Sequence, residues 1–251
     1  MSIGVLQEAR ESAFRIPDYL PEIEFRLADN PTELENIYRL RYKAYLREGE
    51  IDPNPSEQFS DYYDRMNNCW TFGVYANGQL ASSVRMHVIS KQWRKGPALD
   101  VFPDVVSPLI EQGKVLIDPT RFVADREAKR RYPELAYITL RAPSMACVAF
   151  DADYCLATVK AEYQPFYERI FSAKALCEPR PYPALKQRIA LMLIDVGSVR
   201  DGLMARHNAF HSTVDDWRML FQRSSELRKI EQIPALALRS GGHAMPERLA
   251  S

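Results

Sequence analysis

Four kinds of side chain in this sequence stand where chemistry could follow. Arg41 falls inside a helical apolar stripe made by Leu34, Ile37, Tyr38, Tyr42 and Tyr45. Two readings fit it. It snorkels to the helix edge, or its guanidinium lies under a polar site and pairs with a carboxylate or a ligand. Asp61 and Asp64 form a DxxD in a polar, aromatic segment, a pattern that by itself usually marks a solvated turn. Arg85 sits mid-strand between Val84 and Met86. Inside a sheet it must find a partner; at an edge it would mean nothing. Arg126, Lys129, Arg130 and Arg131 set four basic groups against one acid over residues 126–131. Such a run is either a solvated helix start or a docking patch for an acidic partner.

The elements that must position these groups follow from periodicity. Residues 114–122 read as a strand, 133–150 as a helix and 154–160 as a second strand. That order is the pattern of two parallel strands joined by a right-handed crossover. Pro143 should kink or split its helix. Ile23, Phe25 and Leu27 alternate with charged residues, so 22–28 reads as a first strand. Asn30-Pro31-Thr32-Glu33 opens a helix that should stop before Gly49. Residues 51–66 read as a long ordered loop, of the kind that forms lids or binding elements. Asn77-Gly78 between two β-rich runs is a hairpin signal, and it places Ser83, Arg85 and His87 on one face of the second strand.

Further on, 90–113 reads as loop with a short helix near 105–112. Residues 164–171 form a short helix, 173–177 a strand, 178–183 a stiff extended loop, and 189–195 a buried strand. Residues 213–230 read as an amphipathic helix. The division is an N-terminal arm (1–21), one core (22–200), a helical cap (201–232) and a loose tail (233–251). The fold class is α/β (α+β), a mixed sheet with helices packed on it.

Composition narrows the classes. An apolar share of 46% and a charged share of 26% are ordinary for a globular protein. No apolar run approaches the ~18–20 residues of a transmembrane segment, and the start lacks a secretory leader. A cytoplasmic location is expected. The four cysteines show no metal-binding spacing, so no metal is expected. A formal net charge of zero argues against a dedicated nucleic-acid binder.

The motif order resembles the autoinducer-synthase branch of the GNAT acyltransferases, over roughly residues 22–200. That branch holds acyl-homoserine-lactone synthases and N-acyl amino acid synthases. The matching positions are Arg41 with Tyr45, Asp61 with Asp64, Arg85 in the strand after the hairpin, and Asp118-Pro-Thr-Arg121-Phe122 on the fourth strand. The segments 41–49, 161–167 and 178–183 are more similar to the amino acid synthases. Lactone synthases usually carry glutamate where this chain has Asp118, and a tryptophan shortly after the first helix, where the nearest here is Trp70.

The resemblance implies a GNAT-like mixed central sheet with helices on both faces and the β4–α–β5 parallel crossover at the active site. It also implies acyl transfer to an amine, with backbone N–H groups of the splayed central strand on the thioester oxygen. Asp118 would take the amine proton; the other reading pairs it with Arg85 or Arg121. Tyr167 would protonate the leaving thiolate; the other reading buries it as a core aromatic. Arg41, Tyr45, Asp61 and Asp64 would bind substrate. An amino acid's carboxylate would want a fixed cation, from Arg85, Arg121 or Arg180.

Acetyl-CoA enzymes of this fold bind pyrophosphate on a Gly-rich loop after the fourth strand. Residues 123–133 contain no glycine. The expected donor is therefore acyl-carrier protein docked on Arg126, Lys129, Arg130 and Arg131. Its phosphopantetheine arrives as part of the substrate, so no cofactor is bound. A lactone synthase using S-adenosylmethionine and a non-catalytic lipid- or partner-binding module are the alternatives.

Overall fold

The computed structural model describes residues 23–182, 185–199, 202, 210 and 221. The arm at 1–21, the helix expected at 213–230 apart from Phe221, and the tail at 233–251 lie outside the described residues.

The first strand, β1 (Ile23–Leu27), leads into α1 (Pro31–Arg47). Asn30 caps that helix, its side chain accepting the Glu33 N–H at 3.0 Å. The helix ends at Arg47 with Glu48 as its C-cap, and Gly49 follows at φ 70°, where a Cβ would be strained. A 3₁₀ turn at Tyr62–Arg65 occupies the expected loop. The hairpin is β2 (Cys69–Ala76) and β3 (Gln79–Ile89), with Asn77 and Gly78 at φ 50° and 74°. Both positive values fit a two-residue hairpin turn.

Two helices then replace the single short one expected, α2 (Pro97–Val101) and α3 (Pro103–Glu111). Each places a proline at its start, where the missing N–H has no helical partner to lose. The strand β4 (Leu116–Ala124) follows, then α4 (Arg126–Arg131), which begins at the Asp125 cap. Next come α5 (Leu135–Ala149) and β5 (Tyr154–Val159). Pro143 does not split α5, which continues through it. The helix is buried along most of its length on the sheet, and that packing outweighs the lost backbone hydrogen bond and the ring clash, together about 3 kcal/mol. After α6 (Gln164–Phe171) come β6 (Lys174–Ala175), β7 (Arg180–Pro181) and β8 (Arg188–Asp195). The expected strand at 173–177 is thus only two residues, and the proline-rich loop supplies a short edge pairing with β8.

The sheet order is β1-β2-β3-β4-β5-β8-β6, with β7 on β8. Among the described residues only β4 and β5 are parallel, and they pair at just two positions, Leu116 with Tyr154 and Ile117 with Cys155. Beyond those residues the two strands part. Helix α5 packs on the face that carries Trp70, Val84 and Met86. Helix α1 covers the opposite face, with Leu40 and Ala44 against Val123. Phe210 and Phe221 join the core beside Phe171 and Phe72. Among the described residues no helix is long and apolar enough to cross a membrane.

Candidate active site

The register of β3 against β4 decides which side chains meet. Arg85 lies opposite Thr120 and His87 opposite Asp118, so these four share the α1 face. The register then slips between Ser83 and Arg85, leaving Arg121 and Phe122 opposite Val84. This is a β-bulge, and Arg121 sits in it at φ 54°. A positive φ is uncommon and costly for a non-glycine residue. Its effect is geometric: Arg121 turns to the same face as Thr120, where strict alternation would have sent it to the other.

On that face an ion-pair network forms. Arg41 Nη1 donates to Asp64 Oδ1 at 2.7 Å, and Arg85 Nη1 reaches Asp61 Oδ1 at 2.5 Å and Asp64 Oδ1 at 3.1 Å. Arg121 Nη2 donates to Asp61 Oδ2 at 2.7 Å. Arg85 Nε also donates to Thr120 Oγ1 at 3.0 Å. The guanidinium of Arg121 stacks over Phe59 at 4.6 Å and Tyr45 at 5.6 Å. Asp61 caps the 3₁₀ turn and Asp64 closes a reciprocal capping box with it, so one short turn aims both carboxylates. Arg41 is fully buried in this network, which excludes the snorkelling reading.

Burial works against these charges and the pairing overcomes it. Burial alone would raise the Asp64 carboxyl, but Arg41 and Arg85 bring it down to about 2. Asp61 is likewise pushed up by burial and held low by Arg85 and Arg121. His87 goes the other way: burial and then the Arg85 charge lower it to about 3, so it is neutral.

Asp118 has no ion-pair partner among the described residues. It is fully buried, and Oδ2 accepts the Ala98 N–H from α2 at 2.9 Å, while Oδ1 has no hydrogen bond. Burial raises its carboxyl to about 7, against the lowering by the Ala98 N–H and Arg85. The reading of Asp118 as the ion-pair partner of Arg85 or Arg121 is therefore not what the structure contains. An acid poised near neutrality can both take and give a proton.

The parted strands open into an apolar cavity of about 220 Å³. Thr120 and Arg121 line it, as do Phe122, Leu140, Cys147 and Ala157. Tyr167 also lines it, with its phenol raised by burial and by the neighbouring Cys155. Lys129 and Arg47 line it as well, and burial together with the Arg47 charge lowers the Lys129 amine. The rest of the basic run stays at the surface: Arg126 is exposed, Arg130 pairs with Glu127 at 2.6 Å, and Arg131 lies over Tyr132.

The structure thus joins Arg41, Asp61, Asp64, Arg85 and Arg121 directly, and sets Asp118 and Tyr45 beside them. It does not join Arg180 to them. That guanidinium makes a bidentate pair with Asp104 at 2.6 and 2.7 Å and donates to the Val101 carbonyl. Three contributors escaped the sequence reading. Thr120 and the Ala98 N–H had no signal beyond the prolines that start α2 and α3. Tyr182, whose buried hydroxyl has no partner, stood in a segment read only for its stiffness.

A family model described as N-acyl amino acid synthase FeeM matches residues 36–195. Comparison with curated proteins gives no match. Among solved structures, FeeM, an N-acyl amino acid synthase from uncultured soil microbes, superposes with a TM-score of 0.62 at 16% identity, covering 74% of this chain and 97% of that one. The acyl-homoserine-lactone synthase LasI superposes with a TM-score of 0.55 at 12% identity, covering 70% of this chain and 91% of its own. BjaI, a CoA-dependent acyl-homoserine-lactone synthase, gives 0.54 at 16% identity, covering 79% and 97%. At these identities the superpositions speak for the fold.

Proposed function

Since the chain belongs to the N-acyl amino acid synthase family, we propose that it moves a fatty acyl chain from acyl-carrier protein to the amine of an amino acid. The observation that carries this is the apolar cavity opening between β4 and β5, lined from Pro119 onward, next to Asp118, a buried carboxyl with no ion-pair partner among the described residues. The acyl chain lies in the cavity. The thioester sits at the parting of the strands, where β4 N–H groups beyond Ile117 are not paired with β5 and face the oxyanion. Asp118 takes the proton of the attacking amine. Tyr167 lines the cavity and, its phenol being raised by burial, carries its proton at neutral pH; it gives that proton to the leaving thiolate. Arg41, Arg85, Asp61 and Asp64 hold the amine side rigid. Of the cations considered for the substrate carboxylate, Arg121 lines the cavity, whereas Arg180 is occupied by Asp104. The phosphopantetheine arm arrives with the donor, so the protein needs no cofactor of its own.

The test is turnover with acyl-carrier protein and a panel of amines. Amide formation with an amino acid, an aromatic one above all, supports the reading. Methylthioadenosine release from S-adenosylmethionine, with no amide from any amino acid, would make the protein a lactone synthase instead.

Two measurements bear on the donor and the cavity. Reversing Lys129, Arg130 and Arg131 to glutamate should raise KM for the carrier about 10-fold or more while leaving the fold intact, with an effect that shrinks in salt. Equal efficiency of the wild type with acyl-CoA would refute the carrier preference. Ala157 is buried in the cavity wall. Ala157→Phe should cut kcat/KM for long acyl chains by about 10-fold and spare short ones, since a pocket reads each methylene at roughly 1–3 kcal/mol. An unchanged chain-length profile would place the acyl chain elsewhere.

A further inference from the structure

We propose that Asp100 is a positioning residue that locks the turn carrying Asp61 and Asp64 to the helix that holds Asp118. This rests on the acyl-transfer reading above. Helix α2 meets the candidate site twice. Its Ala98 N–H donates to Asp118 Oδ2 at 2.9 Å. Its Asp100 Oδ2 accepts two hydroxyls, Tyr62 Oη at 2.5 Å and Tyr63 Oη at 2.7 Å. Those tyrosines are the first two residues of the 3₁₀ turn and lie between Asp61 and Asp64 in sequence. Two hydroxyl donors converge on one oxygen, whose two lone pairs can accept both.

The contacts close a circuit. The Tyr63 N–H donates to Asp61 Oδ1 at 3.0 Å. Its carbonyl lies 3.1 Å from Nε2 of His87, which is the register partner of Asp118. Asp61 continues to Arg85, and Arg85 to Thr120 on the strand of Asp118. Asp100 joins the two arms of this ring: on one side the carboxylate pair that orients the arginines, on the other the amide that holds Asp118. Tyr63 is buried while Asp100 and Tyr62 lie at the surface, so the bond ties a buried ring of the turn to the exposed side of α2. A helix of five residues and a single 3₁₀ turn have little internal rigidity, and a bond between them fixes both.

Asp100→Ala and Asp100→Asn separate this from a purely local role, because asparagine keeps an oxygen that can accept both hydroxyls. Three readouts apply: hydrogen exchange over residues 61–65 and 97–101, the titration of Asp118 by carboxyl carbon-13 resonance, and kinetics. Asp118 is faced by Arg85 and His87 from β3, Cys155 from β5, Tyr182 and the Ala98 N–H. Of these, Asp100→Ala perturbs the Ala98 donor most directly. Weakening a donor to the carboxylate raises its midpoint.

Asp100→Ala should speed exchange in both segments, move the Asp118 midpoint upward, and cut kcat/KM for the amine about 10- to 100-fold, mostly through KM. Asp100→Asn should recover most of each. Faster exchange confined to 97–101, or an Asp118 midpoint that does not move, would overturn the proposal. If the wild type acylates no amine, the acyl-transfer reading fails, while exchange and titration still decide the role of Asp100.

Discussion

Asp118→Asn is expected to lower kcat for amide formation by about 10²- to 10⁴-fold, the usual contribution of a positioned general base. The substitution is conservative in shape, and asparagine can still accept the Ala98 N–H. The wild-type kcat/KM should rise with pH through an acidic limb near 7, because burial raises Asp118 to about 7 and only the carboxylate accepts a proton. The variant should lose that limb. The same group has a stability consequence of opposite sense. Its folded value lies above its ordinary 3.8, so between roughly pH 4 and 7 the native state keeps a proton that the unfolded chain has released. Stability from Asp118 is therefore full below about pH 4 and falls as pH rises toward 7. The neutral amide of the Asp118→Asn variant carries no such cost. Urea midpoints should show the variant gaining on the wild type between pH 5 and 8, while its activity is lost at both. A variant that keeps wild-type kcat would remove Asp118 from the mechanism.

Asp64→Ala is expected to cost about 3–5 kcal/mol of stability, the largest loss among single substitutions at the site. It leaves the Arg41 and Arg85 guanidiniums without a carboxylate that both use, at 2.7 and 3.1 Å, and removes the acceptor of the Asp61 N–H. Arg41 already has Nε and Nη2 without hydrogen-bond acceptors, so it has no alternative partner in place. Replacing both members with apolar residues, Arg41→Met with Asp64→Leu, should be less destabilising than Asp64→Ala alone. Removing a buried pair spares the desolvation that an orphaned charge must bear. Acid sensitivity follows the same logic. Asp64 titrates at about 2, below its ordinary 3.8. Its contribution is present above about pH 4 and is lost as pH falls toward 2. Denaturation curves of Arg41→Met, of Asp64→Leu and of the double variant at pH 7 give the coupling directly. A loss below about 1 kcal/mol for Asp64→Ala would show that the network is not a cooperative unit.

Local chemistry made some elements legible. The Asn30 cap, the Asn77-Gly78 turn and the period-2 run of β3 each depend on neighbours within a few residues, and each appears where the sequence placed it. The pairing of Arg85 is equally foreseeable, as a charge with apolar residues on both sides in an interior strand must find a partner. Elements governed by packing are less legible. Helix α5 passes through Pro143 because its buried face outweighs the missing bond. Helix α2 lies where the pattern reads as loop, because five residues carry too little periodicity to register.

By itself, the sequence determined the set of charged residues, the strand and helix bearing most of them, and the mixed fold with one parallel crossover. The family match then gave that set an order. Only the tertiary structure decided which charges pair. Arg121 reaches Asp61 because a bulge at φ 54° turns it off the alternation that its position in the strand would impose. Asp118 stays unpaired because the arginines beside it are already taken by two acids from a distant turn in the sequence. Arg180, stiffened by the prolines on either side, is drawn to Asp104. Spacing along a chain fixes the face of an element on which a side chain stands. Which opposite charge arrives first at that face depends on contacts between distant segments, and those exist only once the sheet and its helices have closed.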